Sequence, residues 1–327
     1  MTAYFIGIIE IMSIFLFGCV GEIITEKSGH LNMGTPGIMC TGALGAVLGV
    51  HWYSMMFGAG ADINYFFAIL FPILGAALFA GLMGVLYCFL VDTLQCNQNV
   101  TGLTLTTLGA ALFPFVVNEI HKSNASLDAI LSIVARQAFM NTIPKSFTDS
   151  NWFTQIFLSH SFLTYFVILL AVGAFLFLKH TRVGLSLRSI GENPGTSDAS
   201  GINVTKYKYL ATIIGSMVSG LGGLFYIVVF TGGTLEFSAI EGFGWLAVAL
   251  VIFSLWSPAI SIGGSFIFAI FFEMALYVNA GGPVGKELIK IIPYVVTVAV
   301  LIIISLFNKR ETQPPAALGL PYYREDR

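Results

Sequence analysis

The chain has 327 residues, of which 56% are hydrophobic and 10% charged, with mean hydropathy +0.86 and formal net charge −2. Soluble domains carry about 25% charged residues, so a soluble fold is excluded and an integral membrane protein is implied. The slight negative charge gives no reason to expect nucleic acid as a partner, whereas the lipid bilayer is one that the composition demands.

Cys19, Cys40, Cys88 and Cys96 lie in or beside apolar runs without paired spacing, and the five histidines are scattered near span ends. Neither a disulfide framework nor a metal site is expected from them. The first apolar run begins at once, without a basic leader or cleavage site, and reads as a retained span. At about 20 apolar residues per crossing, the candidates are Ala3–Gly21, Gly34–Val50, Tyr65–Val91, Val100–Val117, Phe162–Leu178, Tyr207–Phe230, Gly242–Leu255, Ala259–Val278 and Ile289–Phe307. The expected fold is therefore an all-α membrane domain over 1–327 with about nine transmembrane helices.

The first span carries Glu10 and leads into GEIITEKSGHLNMGTPGIMCTGALGAVLG. Gly29, Gly34, Pro36 and Gly37 crowd the start of the second span and predict a broken or re-entrant helix there. Broken membrane helices border cavities, which makes Asn32 and Thr35 candidates for a polar path, although the glycines equally serve helix packing. The fourth span opens with CNQNVTGLTLTTLG, placing Thr101, Thr104 and Thr107 near one helical stripe. Such a stripe, with Asn118 further along, suits a path for an uncharged polar solute. Membrane threonines also bond to their own helix carbonyls, the competing account.

Residues 118–160 form the longest segment outside the membrane on the external side. Within it Leu127, Ile130, Leu131, Val134 and Ala138 share a helical face, predicting a short amphipathic helix that lies on the leaflet, caps the pore or receives a partner. The segment 179–206 is the densest polar stretch between spans. Asn193 is a good N-cap, Pro194 suits the first helical position and Gly201 the residue past the end, so a helix over Pro194–Ser200 is expected. A further short turn is expected over Leu185–Ile190, with Thr205 capping the next span. Placing this segment in the cytoplasm puts ten Lys and Arg inside, Lys27, Arg188 and the tail 308–327 among them, against five outside. The N-terminus is then outside and the C-terminus inside. Capped helices protruding there suit docking to another protein; a solvated loop is the plain alternative.

In the eighth span Glu273 is an intramembrane acid, a group that usually faces a protein interior. A proton-coupled secondary transporter would need such a residue, as would a pair of helices held together by a hydrogen-bonded acid. AGGPVGKE carries Ala280 and Glu287 where a phosphate loop needs Gly and Ser or Thr, so no nucleotide site is expected on this chain.

The run TRVGLSLRSIGENPGTSDASGIN resembles the cytoplasmic coupling segment of permease subunits from ABC importers of ribose, branched-chain amino acids and nucleosides. SGHLNMGTPGIMCTGA, NVTGLTLTTLG, EGFGWLAVALVIFSLWSP and PVGKELIKIIPYVVTVAVLII are similar to further family stretches, in the family's order. GENP and the tail NKRETQPPAALGL look most like the shorter permease of nucleoside importers fed by basic-membrane-protein-type lipoproteins. The resemblance implies a type II importer half-pore in a bacterial cytoplasmic membrane, moving nucleosides, or alternatively a simple sugar or riboflavin. It implies a second related permease, an ABC ATPase with two nucleotide sites that carries the ATP and Mg, and a substrate-binding lipoprotein. No catalytic residue or cofactor is then expected on this chain. Gly191, Glu192, Asn193, Pro194, Ala199 and Gly201 match the coupling motif, with Arg188 just before it, and Asn32 and Gly34 match the second-span motif. The pattern departs at Pro36, where many relatives carry Glu, which would shift polar contact there to the paired subunit.

Overall fold

The computed structural model describes residues 2–58, 63–123, 126–140, 151–277, 288, 291–292, 294–300, 302–303 and 313–323, apart from the side chains of 123 and 275–277. Among the described residues the chain is helical and has no strand. In order, α1 is Thr2–Glu26, α2 Thr35–Phe57, α3 Tyr65–Cys88 with a π-helical end Phe89–Thr93, and α4 Gln98–Ser123. Two short helices come next, α5 (Leu127–Val134, continued by Ala135–Phe139) and α6 (Trp152–Leu158). Then follow α7 (Phe162–His180), α8 (Arg182–Glu192), α9 (Pro194–Ala199), α10 (Val204–Leu224, continued by Phe225–Phe230), α11 (Ile240–Phe253) and α12 (Pro258–Tyr277).

Six of these are long and apolar enough to cross a membrane: α1, α2, α3, α4, α7 and α10. α11 and α12 are shorter apolar helices over their described parts, and 294–300 is helical within the expected ninth span. The remainder of that span and the AGGPVGKE stretch lie outside the described residues.

Three sequence expectations change. The first span does not end at Gly21, because α1 continues through Glu22 and Glu26, both buried. The second span is not broken, since α2 runs uninterrupted from Thr35 and the irregular backbone is confined to the linker 27–34 before it. The cap of α10 is Asn203, whose side chain accepts the Lys206 N–H at 3.0 Å, and not Thr205. α11 and α12 are joined by a tight turn in which Leu255 and Trp256 are both at positive φ.

α1, α2 and α10 form the centre. α1 is apolar on every side, the pattern of a helix enclosed by others, and residues 11–23 are buried without exception. Lipid supplies no hydrophobic drive for helix association, so contact area and close backbone approach hold such a bundle together. Glycines make that approach possible. A Cβ on Gly21 would collide with Gly215 O, one on Gly42 with Gly220, one on Gly45 with Gly75, and one on Gly37 with the α4 backbone at Leu105. Around this centre Phe15 meets Phe243 (5.4 Å between centroids), Phe268 and Phe272, tying α1 to α11 and α12. Leu74, Leu78 and Leu82 of α3 and Leu169, Val172 and Leu176 of α7 are exposed at helical spacing, the dress of a lipid-facing surface.

The amphipathic helix is present as α5. Leu127, Ile130, Leu131 and Val134 are buried on its inner face, and Phe139 stacks on Phe162 at 5.7 Å. Protein covers its apolar side, so it does not rest on the leaflet. Gly233, at φ +86°, brings its backbone against Leu131 from the end of α10.

These crossings predict unequal responses to the same kind of substitution. Gly42→Val should cost about 2 kcal/mol or more through overpacking and lower the yield and melting temperature of detergent-solubilised protein. Gly173→Ala in α7, where an added Cβ meets nothing within 4 Å, should be neutral or slightly stabilising. Equal melting temperatures for the two variants would refute the close-packed centre.

Candidate functional site

α8 and α9 form a helix pair joined by one residue. Thr181 caps α8 by accepting the Gly184 N–H at 3.0 Å. Asn193 ends α8 by donating its N–H to Ser189 O (2.8 Å), and begins α9 by accepting the Thr196 N–H on Oδ1 (3.0 Å). Its backbone is extended, as the residue before a proline prefers. At the far end Gly201, at φ +84°, donates to Asp198 O while Ile202 donates to Ser197 O, the paired bonds of a Schellman cap. Ser197 also reaches back to Ser189 Oγ at 3.1 Å, closing the pair on itself.

The pair is bonded to two other segments. Gly191 lies so close to Lys27 O that no side chain would fit, and its carbonyl accepts the Ala317 N–H at 2.9 Å. Gly319 N–H donates to Gly29 O (3.0 Å), and Tyr322 Oη donates to Asp198 Oδ2 (2.8 Å). The tail 313–323 thus runs between the linker 27–34 and the α8–α9 pair. Of the expected coupling residues, Gly191, Asn193, Pro194 and Gly201 have structural roles in this body. Arg188 is half-buried, and Glu192 and Ala199 sit at its edge.

The linker itself is buried and polar. Leu31 N–H donates to Gln98 Oε1 (2.8 Å), Tyr87 Oη to Leu31 O (2.8 Å) and Thr106 Oγ1 to Met33 O (2.9 Å). Asn32 Oδ1 accepts the Gly34 N–H at 2.9 Å, and Thr35 Oγ1 donates to Glu22. Glu26 accepts a hydrogen bond from the Trp256 indole, which holds the α11–α12 turn against α1. Glu22 and Glu26 escaped the sequence analysis because the span was ended at Gly21. Their i, i+4 spacing in GEIITE was the signal that both face one side of a continuing helix.

Below the linker, His30 Nε2 lies 2.9 Å from Asp92 Oδ1, so it carries the proton, and Nδ1 accepts from Thr212 Oγ1 at 2.8 Å. His30, Cys88 and Asp92 converge within 4.8 Å, the spacing of a cation site. Lys208 Nζ, 4.0 Å from the same carboxylate oxygen, supplies positive charge there. Burial pushes the His30 pKa down, against the pull of Asp92 and together with Lys208.

The expected pathway residues separate into two sets. Asn32, Thr35 and Thr101 are buried inside the bundle. Thr104 and Asn118 are exposed on the outer face of α4, together with Thr107, Ala111 and Phe115, which is 66% exposed. Thr104 and Thr107 donate to Val100 O and Thr104 O, both at 2.8 Å, leaving their oxygens outward as acceptors. Glu273 is buried on α12 with its carboxylate against Gly7 of α1, and Glu10 lies within its electrostatic reach.

Residues 4–304 match the family described as the branched-chain amino acid transport system permease component. The nucleoside ABC transporter permease protein NupC of Lactococcus lactis is 30% identical over 92% of this chain and 90% of its own. The guanosine ABC transporter permease protein NupQ of Bacillus subtilis is 28% identical over 94% and 92%. The putative glucose ABC transporter permease protein TsgC13 of Haloferax volcanii is 28% identical over 97% and 96%. The chain is a multi-pass membrane protein and belongs to this family of ABC transporter permeases.

The buried histidines make stability pH-dependent. His30 and His160 both have lowered pKa values, chiefly through burial, so the unfolded chain takes up protons first as pH falls. Their contribution is complete above about pH 6.5 and declines below it, by at most about 1.4 kcal/mol per pH unit for each proton. His30→Gln should flatten the fall in melting temperature between pH 6.5 and 5, and an unchanged slope in both H30Q and H160Q would refute this.

Proposed function

We propose that the chain forms half of the transmembrane pore of an ATP-driven nucleoside importer of type II architecture. ATP hydrolysis belongs to a separate cytoplasmic ATPase that docks on α8–α9 with its two nucleotide sites and their Mg. A binding lipoprotein delivers substrate from outside, and a second, related permease completes the pore. The carrying observation is the body made by the α8–α9 pair, the linker 27–34 and the tail: a protruding capped helix bonded to the segment that precedes α2. The nucleoside assignment is supported by NupC and NupQ, and TsgC13 favours a simple sugar as the second reading.

A count of nine crossings is supported by parity. The linker, the α8–α9 pair and the tail are hydrogen-bonded together and so lie on one side of the membrane. Between Gly201 and residue 313 the chain must cross an even number of times. With α10, α11 and α12 counted as three crossings, the helical stretch at 294–300 would be part of a fourth. With one crossing before the linker, the N-terminus lies opposite the tail, outside if the basic α8–α9 side is cytoplasmic.

Nucleotide closure on the ATPase would displace α9. Asn193 and the Gly191–Ala317 bond pass that displacement to the linker, and from there to α2 and α4. The exposed face of α4 is the wall this half offers to the pore. Thr104, Thr107 and Asn118 provide hydrogen-bonding groups for ribose hydroxyls, and Phe115 offers an aromatic face to a base. Asn32, Thr35 and Thr101 support that wall from behind.

Proteoliposomes holding the complete transporter should accumulate labelled guanosine with ATP and not with a pH gradient alone. A nucleotide-site variant of the ATPase should abolish uptake, and excess unlabelled guanosine should compete better than ribose or riboflavin. The combination Thr104→Val, Phe115→Ala and Asn118→Leu should lower the rate by about tenfold, the effect of about 1.4 kcal/mol, without loss of folded protein. Uptake driven by a proton gradient and lost in Glu273→Gln would instead make the chain a secondary carrier.

Removing both caps of α9 with Asn193→Ala and Gly201→Val should cost about 1 kcal/mol at the N-cap and more at the positive-φ end. ATP hydrolysis should continue while uptake falls several-fold. Normal coupling in this double variant would reduce α8–α9 to a connector.

A further inference from the structure

A groove of about 710 Å³ runs beside the α8–α9 pair, where α7 leaves the apolar layer. Its apolar wall comes from Phe175 and Leu178 in the last turns of α7, with Trp256 and Pro258 at the start of α12. Its charged wall carries Lys27, Lys179 and Arg188, against Glu192 as the lone carboxylate among the described residues of the lining. Glu26 stands behind it, bonded to the Trp256 indole.

Positive charge is therefore in excess in a partly dehydrated place. Burial lowers the Lys27 pKa, Glu192 and Glu26 oppose that, and the neighbouring Arg188 adds to it. Arg188 Nε is shielded from solvent and has no hydrogen-bond partner among the described residues. Shielded cations in excess are costly unless an anion joins them, and a guanidinium edge matches phosphate oxygens.

We propose that this groove binds the headgroup phosphate of an anionic phospholipid, with an acyl chain along Phe175 and Leu178. Val172 and Leu176 continue the apolar surface of α7 toward the bilayer, which gives the chain somewhere to lie. A tryptophan and basic side chains at the end of a span are the usual company of lipid headgroups. No residue of α9 lines the groove, so it lies beside the tip of the docking pair, with Arg188, Ser189 and Glu192 of α8 along its wall. The leaflet is the inner one only if α8–α9 faces the cytoplasm, as proposed above; the binding chemistry is the same on either side.

The test uses the complete transporter equilibrated in mixed micelles of equal phosphatidylglycerol and phosphatidylcholine, with co-purifying lipid counted by mass spectrometry. Phosphatidylglycerol should be retained in about fivefold excess. Lys27→Gln with Arg188→Gln should bring the ratio near one, and Lys27→Arg with Arg188→Lys should preserve it, which separates loss of the site from misfolding. An equal ratio in the unaltered protein, or an undiminished excess in K27Q/R188Q, overturns the assignment. So does complete displacement by inorganic phosphate, which would make the ligand a free anion. Efficient cross-linking of Lys179→Cys to the ATPase without retained phosphatidylglycerol also overturns it, and gives the groove to protein. Selective retention in a preparation that fails to import guanosine supports the lipid site while counting against the transport function.

Discussion

The structure depends on the burial of a non-helical linker. Where backbone leaves helical geometry and is buried from solvent, each N–H and C=O must be satisfied by protein. Residues 27–34 meet that demand from several directions: Gln98 and Thr106 of α4, Tyr87 of α3, and Gly319 of the tail. Each of those bonds fixes an element relative to α1 and α2. His30 extends the set to α10 through Thr212 and to the end of α3 through Asp92. One short polar stretch thereby sets the positions of three spans, α3, α4 and α10, relative to α1 and α2.

Helical periodicity and residue class made the membrane fold legible in the sequence, along with the amphipathic α5 and the caps of α9. Asn193, Pro194 and Gly201 could be assigned because capping is local, decided by a few adjacent residues. What escaped was settled by partners distant in the chain. Glu22 and Glu26 seemed too polar for a span, yet Thr35 and Trp256 are there to bond them. Gly29, Gly34 and Pro36 suggested a broken helix, yet α4 and the tail take up the linker's polar groups and α2 stays whole. The threonine stripe of α4 was read as one surface. Only packing against α2 decides that Thr101 turns inward while Thr104 and Thr107 turn out.

The distribution of polarity suits a pathway for neutral solutes. Glu22, Glu26 and Glu273 are buried against other helices and Glu10 is half-buried, and among the described residues the exposed apolar-layer face of α4 carries hydroxyl, amide and aromatic groups without formal charge until Glu119 and Lys122 near its end. Affinity there would be weak, as a conduit requires, since a tight site would slow release. The glycine crossings hold α1, α2 and α10 together as one closely packed core.

Asn193 gives the α8–α9 pair a mechanical character that neither helix has alone. One residue terminates the first helix with its backbone and starts the second with its side chain, so the elbow between them contains no free linker. Tyr322 and Ala317 brace the two arms on either side of that elbow. Under the docking role proposed above, a displacement of α9 would reach α8 with little of it lost in chain flexibility.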